Sequence, residues 1–146
     1  MVISVRSFVL VTVQFICLGV LFFTGSPFAH HAGFLIMELF SVFLALWAIS
    51  VMRAGKLNIF PELRTGSRLI TSGPYYLIRH PMYLAVILFG LSLVLDCITW
   101  IRLVVWIILC IDLLLKIRYE EKLLISNIPG YTAYKQATKK LIPFLF

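Results

Sequence analysis

Two stretches of the chain carry side chains that can do chemistry within an otherwise apolar sequence. The first, LITSGPYYLIRHPMY at residues 69–83, places Arg79 and His80 directly before Pro81. Proline is favoured at the first position of a helix, and a helix N-terminus attracts anions through its partial positive charge. The stretch therefore predicts a cationic pocket, in which the free N–H groups of residues 82–84 point towards a bound carboxylate or phosphate.

The same residues have a second interpretation. Arginine and histidine at a helix mouth also anchor a protein at the membrane surface, and tyrosines gather at the level of the lipid headgroups. From the residues alone, an anion pocket and an interfacial anchor are equally supported.

The second stretch, DLLLKIRYEEKLL at residues 112–124, repeats charged residues at helical spacing. Residues four apart lie on one face of a helix, and here that face carries Asp112, Lys116 and Glu120. We expect Lys116 to pair with Asp112, or water to reach Asp112, and we expect Arg118 to pair with Glu121 three residues later. The alternative to a functional role is a solvated helix face held by weak ion pairs.

The composition favours a membrane protein. The chain has 146 residues, of which 62% are hydrophobic, whereas a soluble domain has roughly 45–50% apolar residues. The net charge of +7 does not indicate nucleic-acid binding, because the cations lie beside apolar runs. The three cysteines are interpreted as small apolar residues. No metal site is predicted, because His30 and His31 have no third ligand nearby.

Four apolar runs are candidates for membrane-spanning helices, which need about 20 predominantly apolar residues. They cover residues 8–24, 33–52, 81–95 and 98–116. Only Asp96 and Cys97 separate the last two runs, so these are expected to form a tight helical hairpin. The predicted fold is one all-α integral membrane domain over residues 1–146, with a loop at 53–80 and a tail at 117–146 that contains an amphipathic helix.

The first run has a rival interpretation as a secretory signal that is cleaved after Ala29. A signal core has about 7–15 apolar residues, whereas this run is longer and is followed directly by another. We therefore predict a helix that is retained.

The distribution of Lys and Arg predicts the orientation. The loop at residues 53–80 and the tail at 117–146 are rich in cations, whereas residues 25–32 and 96–97 carry none. Cytoplasmic segments of membrane proteins carry an excess of Lys and Arg. Both termini and the central loop are therefore expected in the cytoplasm.

Five motifs follow one another along the second half of the chain: LITSGPY at 69–75, RHPMY at 79–83, EEKLL at 120–124, YTAY at 131–134 and Pro143. Together they resemble the isoprenylcysteine carboxyl methyltransferase and phospholipid methyltransferase family of integral membrane enzymes. Their order and spacing agree with the family over about two thirds of the chain. The resemblance implies S-adenosylmethionine as cofactor, held at the cytoplasmic ends of the last two spans by the central loop and the tail.

By the same resemblance, cofactor contacts fall in the loop and in the last two spans. They are Leu69, Ile70, Tyr75, His80, Tyr83 and Glu120. The helix start at Pro81, with Arg79 or His80, can hold the methionine carboxylate. The choice between Glu120 and Glu121 stays open.

A substrate contact is implied on the last span. The arginine that contacts substrate in eukaryotic members of the family aligns with Lys116 rather than Arg118, and both residues are candidates for substrate binding. Lysine keeps the positive charge but lacks the bidentate fork that suits a carboxylate.

The implied activity is methyl transfer to a lipophilic or small acceptor that presents a carboxylate, a thiol or an amine. No residue is singled out as catalytic, because the cofactor carries the reactive chemistry and the protein positions it. The alternatives are a non-catalytic small membrane subunit and an NADPH-dependent membrane reductase. The expected partners are the lipid bilayer and the acceptor, and the sequence leaves the oligomeric state open.

Overall fold

The computed structural model describes residues 4–53 and 69–143, without the side chain of Arg53. Within these ranges the chain forms five α-helices and one 3₁₀ helix, and no strand. They are α1 (Val5–Phe23), α2 (Ala32–Arg53), the 3₁₀ helix (Gly73–Tyr76), α3 (Pro81–Asp96), α4 (Trp100–Asn127) and α5 (Tyr131–Ala137). The all-α prediction is therefore confirmed for this part of the chain. Most of the predicted loop at 53–80, namely residues 54–68, lies outside the described residues.

Two of the described helices have the length and apolar composition that a membrane crossing requires. They are α1 (Val5–Phe23) and α2 over Ala32–Met52, whereas α3 is apolar but shorter. Large apolar side chains cover the outside of both, among them Phe8, Phe15, Phe43 and Trp47. Such exposure is expected where lipid rather than water surrounds a helix. Two candidate spans are therefore found, and the four-span arrangement and its orientation stay predictions.

The helices pack in two pairs, α1 along α4 and α2 along α3. The central core comes from α1, α3 and α4 and consists of Cys17, Leu21, Leu93, Val94, Leu109 and Leu113. Ser4 caps α1 by accepting a 3.1 Å hydrogen bond from the Ser7 N–H. Ser4 also lies 3.3 Å from the Tyr119 hydroxyl, so α1 starts beside the late part of α4 and the two helices run antiparallel.

The predicted hairpin between α3 and α4 is confirmed, with a connection of three residues between Asp96 and Trp100. Thr99 begins α4 by accepting a hydrogen bond from the Arg102 N–H. Asp96 ends α3 and accepts hydrogen bonds from the His30 and His31 N–H groups at 2.7 and 3.1 Å. The α1–α2 connection is thereby tied to the hairpin at the end of the bundle opposite the Arg79–His80 motif.

Glu38, which lies within the second apolar run, is buried and has a structural partner. Its carboxylate accepts a 3.0 Å hydrogen bond from the Ala29 N–H. A buried carboxylate without hydrogen bonds would be costly. Glu38 therefore fixes the connection before α2 at this same end of the bundle.

Gly73, in the predicted Gly-Pro turn, brings the 3₁₀ helix against α2. Its φ of +60° lies in the left-handed region, and an added Cβ would lie 2.8 Å from Val51 Cγ2. Replacing Gly73 with Ala is expected to lower the melting temperature in detergent, since a non-glycine residue in this region costs about 1–2 kcal/mol before any clash. Gly33→Ala is the control, because a Cβ there meets nothing within 4 Å. Equal losses in the two variants would contradict the argument.

Candidate functional site

The helices that build the site have the boundaries that the sequence predicts. Proline 81 is the first residue of α3, with His80 as its N-cap. The fourth helix continues unbroken to Asn127 and carries Glu120 and Glu121 beyond its apolar part. The chain then turns through Gly130 at φ +83°, and α5 begins at Tyr131. The predicted interruption of the tail at Pro129-Gly130 is confirmed.

The tail folds back onto the motif that precedes α3. The Arg79 N–H donates to the Lys139 carbonyl at 2.8 Å, and the His80 N–H donates to the Lys140 carbonyl at 3.0 Å. Ile78 and Lys139 form a parallel bridge. Backbone contacts alone therefore hold Arg79 and His80 against the tail.

The Arg79 side chain strengthens this attachment. Its Nε lies 2.8 Å from Glu121 Oε1, and its Nη1 donates to the carbonyls of Lys135 and Thr138. The Arg79 and Glu121 side chains are only 5% and 6% exposed. Arg79 thus joins α3, α4 and the tail, and its guanidinium is already occupied by protein partners.

The predicted Arg118–Glu121 pair is wrong, and of the two outcomes expected for Asp112 the ion pair with Lys116 does not form. Glu121 pairs with Arg79 and lies 3.3 Å from Lys135 Nζ, whereas Arg118 is exposed on another face of the helix. Within the described residues no ion pair joins Lys116 to Asp112, because Lys116 donates to Gln14 of α1 at 2.9 Å. In both cases a partner from another helix replaces the neighbour on the same helix.

Glu121 is held in its ionised form. Burial opposes ionisation, but the close approach of the His80 ring at 3.5 Å and the hydrogen bond from the Arg79 guanidinium at 2.8 Å outweigh it and lower the pKa of Glu121 to about 2. A carboxylate paired in the folded state stabilises the protein only while it is ionised. The Glu121–Arg79 pair is therefore an acid-sensitive attachment of the tail.

Acidification is expected to release the stability that Glu121 contributes. Its folded pKa of about 2 lies below the ordinary value of 4.5, so the contribution is complete above pH 4.5 and is lost as the pH falls towards 2. Melting temperatures of the wild type and Glu121→Gln in detergent test this. The difference between them should shrink as the pH falls through this window, and a constant difference would contradict the assignment.

His80, Tyr83 and Glu120 form the more open part of the site. The Tyr83 hydroxyl donates to Glu120 Oε2 at 2.9 Å, and the Tyr83 ring stacks on His80 with centroids 5.5 Å apart. His80 Nδ1 lies 3.8 Å from Glu120 Oε2, and the Glu120 side chain is 22% exposed. Glu120 therefore keeps access to a ligand, whereas Glu121 does not.

Two buried polar atoms at this site lack a hydrogen-bond partner within the part of the chain that the structure describes. They are His80 Nε2 and the Tyr131 hydroxyl. His80 Nε2 lies 3.5 Å from Glu121 Oε1, without the geometry of a hydrogen bond. Buried polar groups are nearly always hydrogen-bonded, so these atoms indicate a place for the polar groups of a ligand.

Aromatic residues of the tail line the same region, and the sequence did not assign them to the site. The Tyr134 hydroxyl donates to the Tyr75 carbonyl at 2.6 Å, and the Tyr131 and Tyr134 rings meet edge to face. Burial raises the pKa of Tyr75 and Tyr131, and it raises the pKa of Tyr134 to about 12. These hydroxyls therefore stay neutral donors. The signal that identifies the pair is the Tyr-x-x-Tyr motif.

The start of α3 offers fewer free donors than the sequence suggested. The N–H groups of Tyr83 and Leu84 both donate to the His80 carbonyl at 3.1 Å. The prediction that they point to a bound anion is therefore wrong, because the N-cap carbonyl satisfies them.

The remaining predicted site residues differ in their distance from this cluster. Leu69 and Ile70 are half-buried, and Leu69 approaches Gly130. Lys116 is 2% exposed and lies 5.3 Å above the Tyr83 ring, so it belongs to the site's inner wall. Arg118 is not brought to the site.

The structure thus combines two apolar candidate spans with a buried polar cluster at one end of the bundle. A family model described as phospholipid methyltransferase matches residues 28–128. Since the match covers more than half of the chain, the protein belongs to the phospholipid methyltransferase family. The matched region includes Arg79, His80, Glu120 and Glu121 and ends before α5. No curated protein sequence matches the chain significantly.

Proposed function

We propose that the protein transfers a methyl group from S-adenosylmethionine to a lipophilic or small acceptor at the cytoplasmic face of the membrane. The family supports the reaction class, and the excess of Lys and Arg in the loop and tail supports the cytoplasmic side. The cofactor supplies a methyl group on a sulfonium, which leaves this chain the tasks of binding and orientation.

The observation that carries the proposal is the unpartnered, buried ring nitrogen of His80. This nitrogen, Nε2, lies 3.5 Å from Glu121 Oε1, and the other ring nitrogen, Nδ1, lies 3.8 Å from Glu120 Oε2. A buried imidazole nitrogen without a partner is costly unless a ligand satisfies it. We therefore assign His80 the central polar contact to the cofactor.

Glu120 and the aromatic residues extend this assignment. Glu120 is the accessible carboxylate of the pair, and its oxygens can accept hydrogen bonds from ribose hydroxyls or from an ammonium group. Tyr83 and Tyr75 are the aromatic contacts proposed for the sulfonium, since a cation over an aromatic face gains about 0.5–2 kcal/mol. The unpartnered Tyr131 hydroxyl is a further donor from the tail.

Arg79 and Glu121 act in this scheme as positioning residues. Their buried pair and the Arg79 contacts to two tail carbonyls hold the tail over His80. A closed tail excludes water and fixes the ligand contacts, which is how a protein favours in-line transfer between two bound reactants. In this proposal Arg79 and Glu121 do not contact the cofactor, as the sequence predicted they would, but hold the tail that covers it.

A groove between α1, α2 and α3 supports a lipophilic acceptor. Its volume is about 400 Å³, and its lining includes Phe15, Phe22, Ser41, Ala85 and Phe89. Ala85 lies one turn along α3 from Pro81, so an apolar tail in this groove would bring its head towards the site. The groove lies along both candidate spans, where lipid has direct access.

Calorimetric titration of the detergent-purified protein with S-adenosylhomocysteine tests the proposal, with NADPH as the control. We expect saturable binding of the first ligand and none of the second. Binding of NADPH alone would indicate that the protein is a reductase. If neither ligand binds to protein that circular dichroism shows to be folded, the site serves only as a structural anchor.

A further inference from the structure

We propose that α1 and α4 form a second site, which binds the phosphate of an anionic phospholipid and is separate from the methyl-transfer site. The site is a cavity of about 350 Å³ lined by Arg6, Leu10, Leu115, Arg118, Tyr119 and Lys122. Its size falls in the range of about 300–1,000 Å³ that ligand pockets occupy.

The charge of this cavity is positive and uncompensated. Arg6, Arg118 and Lys122 have no acidic partner within 4 Å in residues 4–53 and 69–143. Arg6 extends over the Tyr119 ring at 6.0 Å from its centroid, which brings it from α1 towards the two α4 cations. Two guanidinium groups and an ammonium around one cavity favour a phosphate, which arginine binds through paired hydrogen bonds.

The position of the cavity favours a lipid as the source of that phosphate. Arg6 lies in the first turn of α1, a candidate span, so the cations stand at the level where headgroups lie. Leu10 and Leu115 form the apolar end of the cavity. Deeper along the two helices the exposed side chains include Ile16 on α1 and Ile111 on α4. A headgroup among the cations would therefore have its acyl chains along an apolar surface.

The second site and the methyl-transfer site lie on different faces of α4. Residues 115, 118, 119 and 122 are spaced by three, one and three, which places them on one face of a helix. Lys116 and Glu120 lie on a different face, against Tyr83 of α3. A lipid bound at Arg118 therefore contacts none of the residues around His80. This also gives Arg118 a role other than the predicted substrate contact.

Native mass spectrometry of the detergent-solubilised full chain tests the proposal by titration with dioleoylphosphatidylglycerol. Dioleoylphosphatidylcholine and inorganic phosphate are the comparison ligands. The variants are Arg118→Gln and Lys122→Gln, both at exposed positions, so the fold is expected to be kept. The matched control is Lys139→Gln, which removes an exposed lysine of the tail outside the cavity. No methyl donor is present, so the result is independent of the proposed function.

We expect phosphatidylglycerol to bind more tightly than phosphatidylcholine. Each cavity variant should weaken phosphatidylglycerol binding by roughly fivefold, the contribution of one basic residue near an anionic lipid surface, while Lys139→Gln binds as the wild type. Equal affinity for the two lipids would overturn the proposal. So would an equal loss in Lys139→Gln, which would indicate general surface charge, or displacement of the lipid by equimolar inorganic phosphate, which would indicate a site for soluble anions.

Discussion

Glu121→Gln is expected to be the most destabilising single change at the methyl-transfer site. The substitution leaves the Arg79 guanidinium, whose side chain is 5% exposed, without its ionic partner. Breaking a buried ion pair by removing one member costs about 3–5 kcal/mol, because the remaining charge stays buried. Thermal unfolding followed by circular dichroism in detergent measures the loss. A melting temperature equal to that of the wild type would show that Arg79 does not depend on Glu121.

Glu120→Gln is the matched control, since it makes the same chemical change at the next residue of α4. Glu120 is 22% exposed and accepts one hydrogen bond, from Tyr83, so its loss should cost only about 0.5–1.5 kcal/mol. Its effect should instead appear as weaker binding of S-adenosylhomocysteine. If Glu121→Gln kept full stability and lost binding, the roles of the two glutamates would be exchanged.

The sequence was informative wherever a local signal decides the structure. Pro81 marks the start of α3, Pro129-Gly130 interrupts the tail, and two residues between apolar runs permit only a tight hairpin. Each of these follows from backbone geometry within a few residues. The glycines at positions 73 and 130 adopt the positive φ angles that such turns require.

The choice of partners for the charged residues could not be predicted from the same signals. Spacing on one helix suggested Lys116 with Asp112 and Arg118 with Glu121. The structure pairs Lys116 with Gln14, 102 positions away, and Glu121 with Arg79, 42 positions away. Exposed pairs along a helix contribute little, whereas contacts between packed helices are buried. The outcome therefore depends on which helices pack together, and spacing within one helix does not contain that information.

The aromatic part of the site also combines a local motif, which the sequence reveals, with a long-range contact, which it does not. The motif at 131–134 was recognised in the sequence, but its link to Tyr75 arises only when the tail folds back onto residues 78–80. That return is made by backbone hydrogen bonds from Arg79 and His80 to Lys139 and Lys140. Since backbone groups are common to all residues, side-chain patterns do not predict such a pairing.

His80→Ala is expected to weaken the binding of S-adenosylhomocysteine by roughly 10- to 100-fold, as measured by calorimetry in detergent. A hydrogen bond to a charged group contributes about 1.5–3 kcal/mol, and each 1.4 kcal/mol is tenfold in affinity. The Arg79–Glu121 pair does not involve the His80 ring as a hydrogen-bond partner. The tail should therefore stay attached, and circular dichroism should show helical content like that of the wild type.

His31→Ala is the control for this substitution. His31 is exposed at the opposite end of the bundle, where its backbone N–H rather than its ring contacts Asp96. Ligand binding should therefore be unchanged. If His80→Ala also bound the ligand normally, the unpartnered nitrogen would belong only to the N-cap of α3. The cofactor would then have to be held by Glu120 and the tail tyrosines without the imidazole between them, and Glu120→Gln would carry the whole loss of affinity.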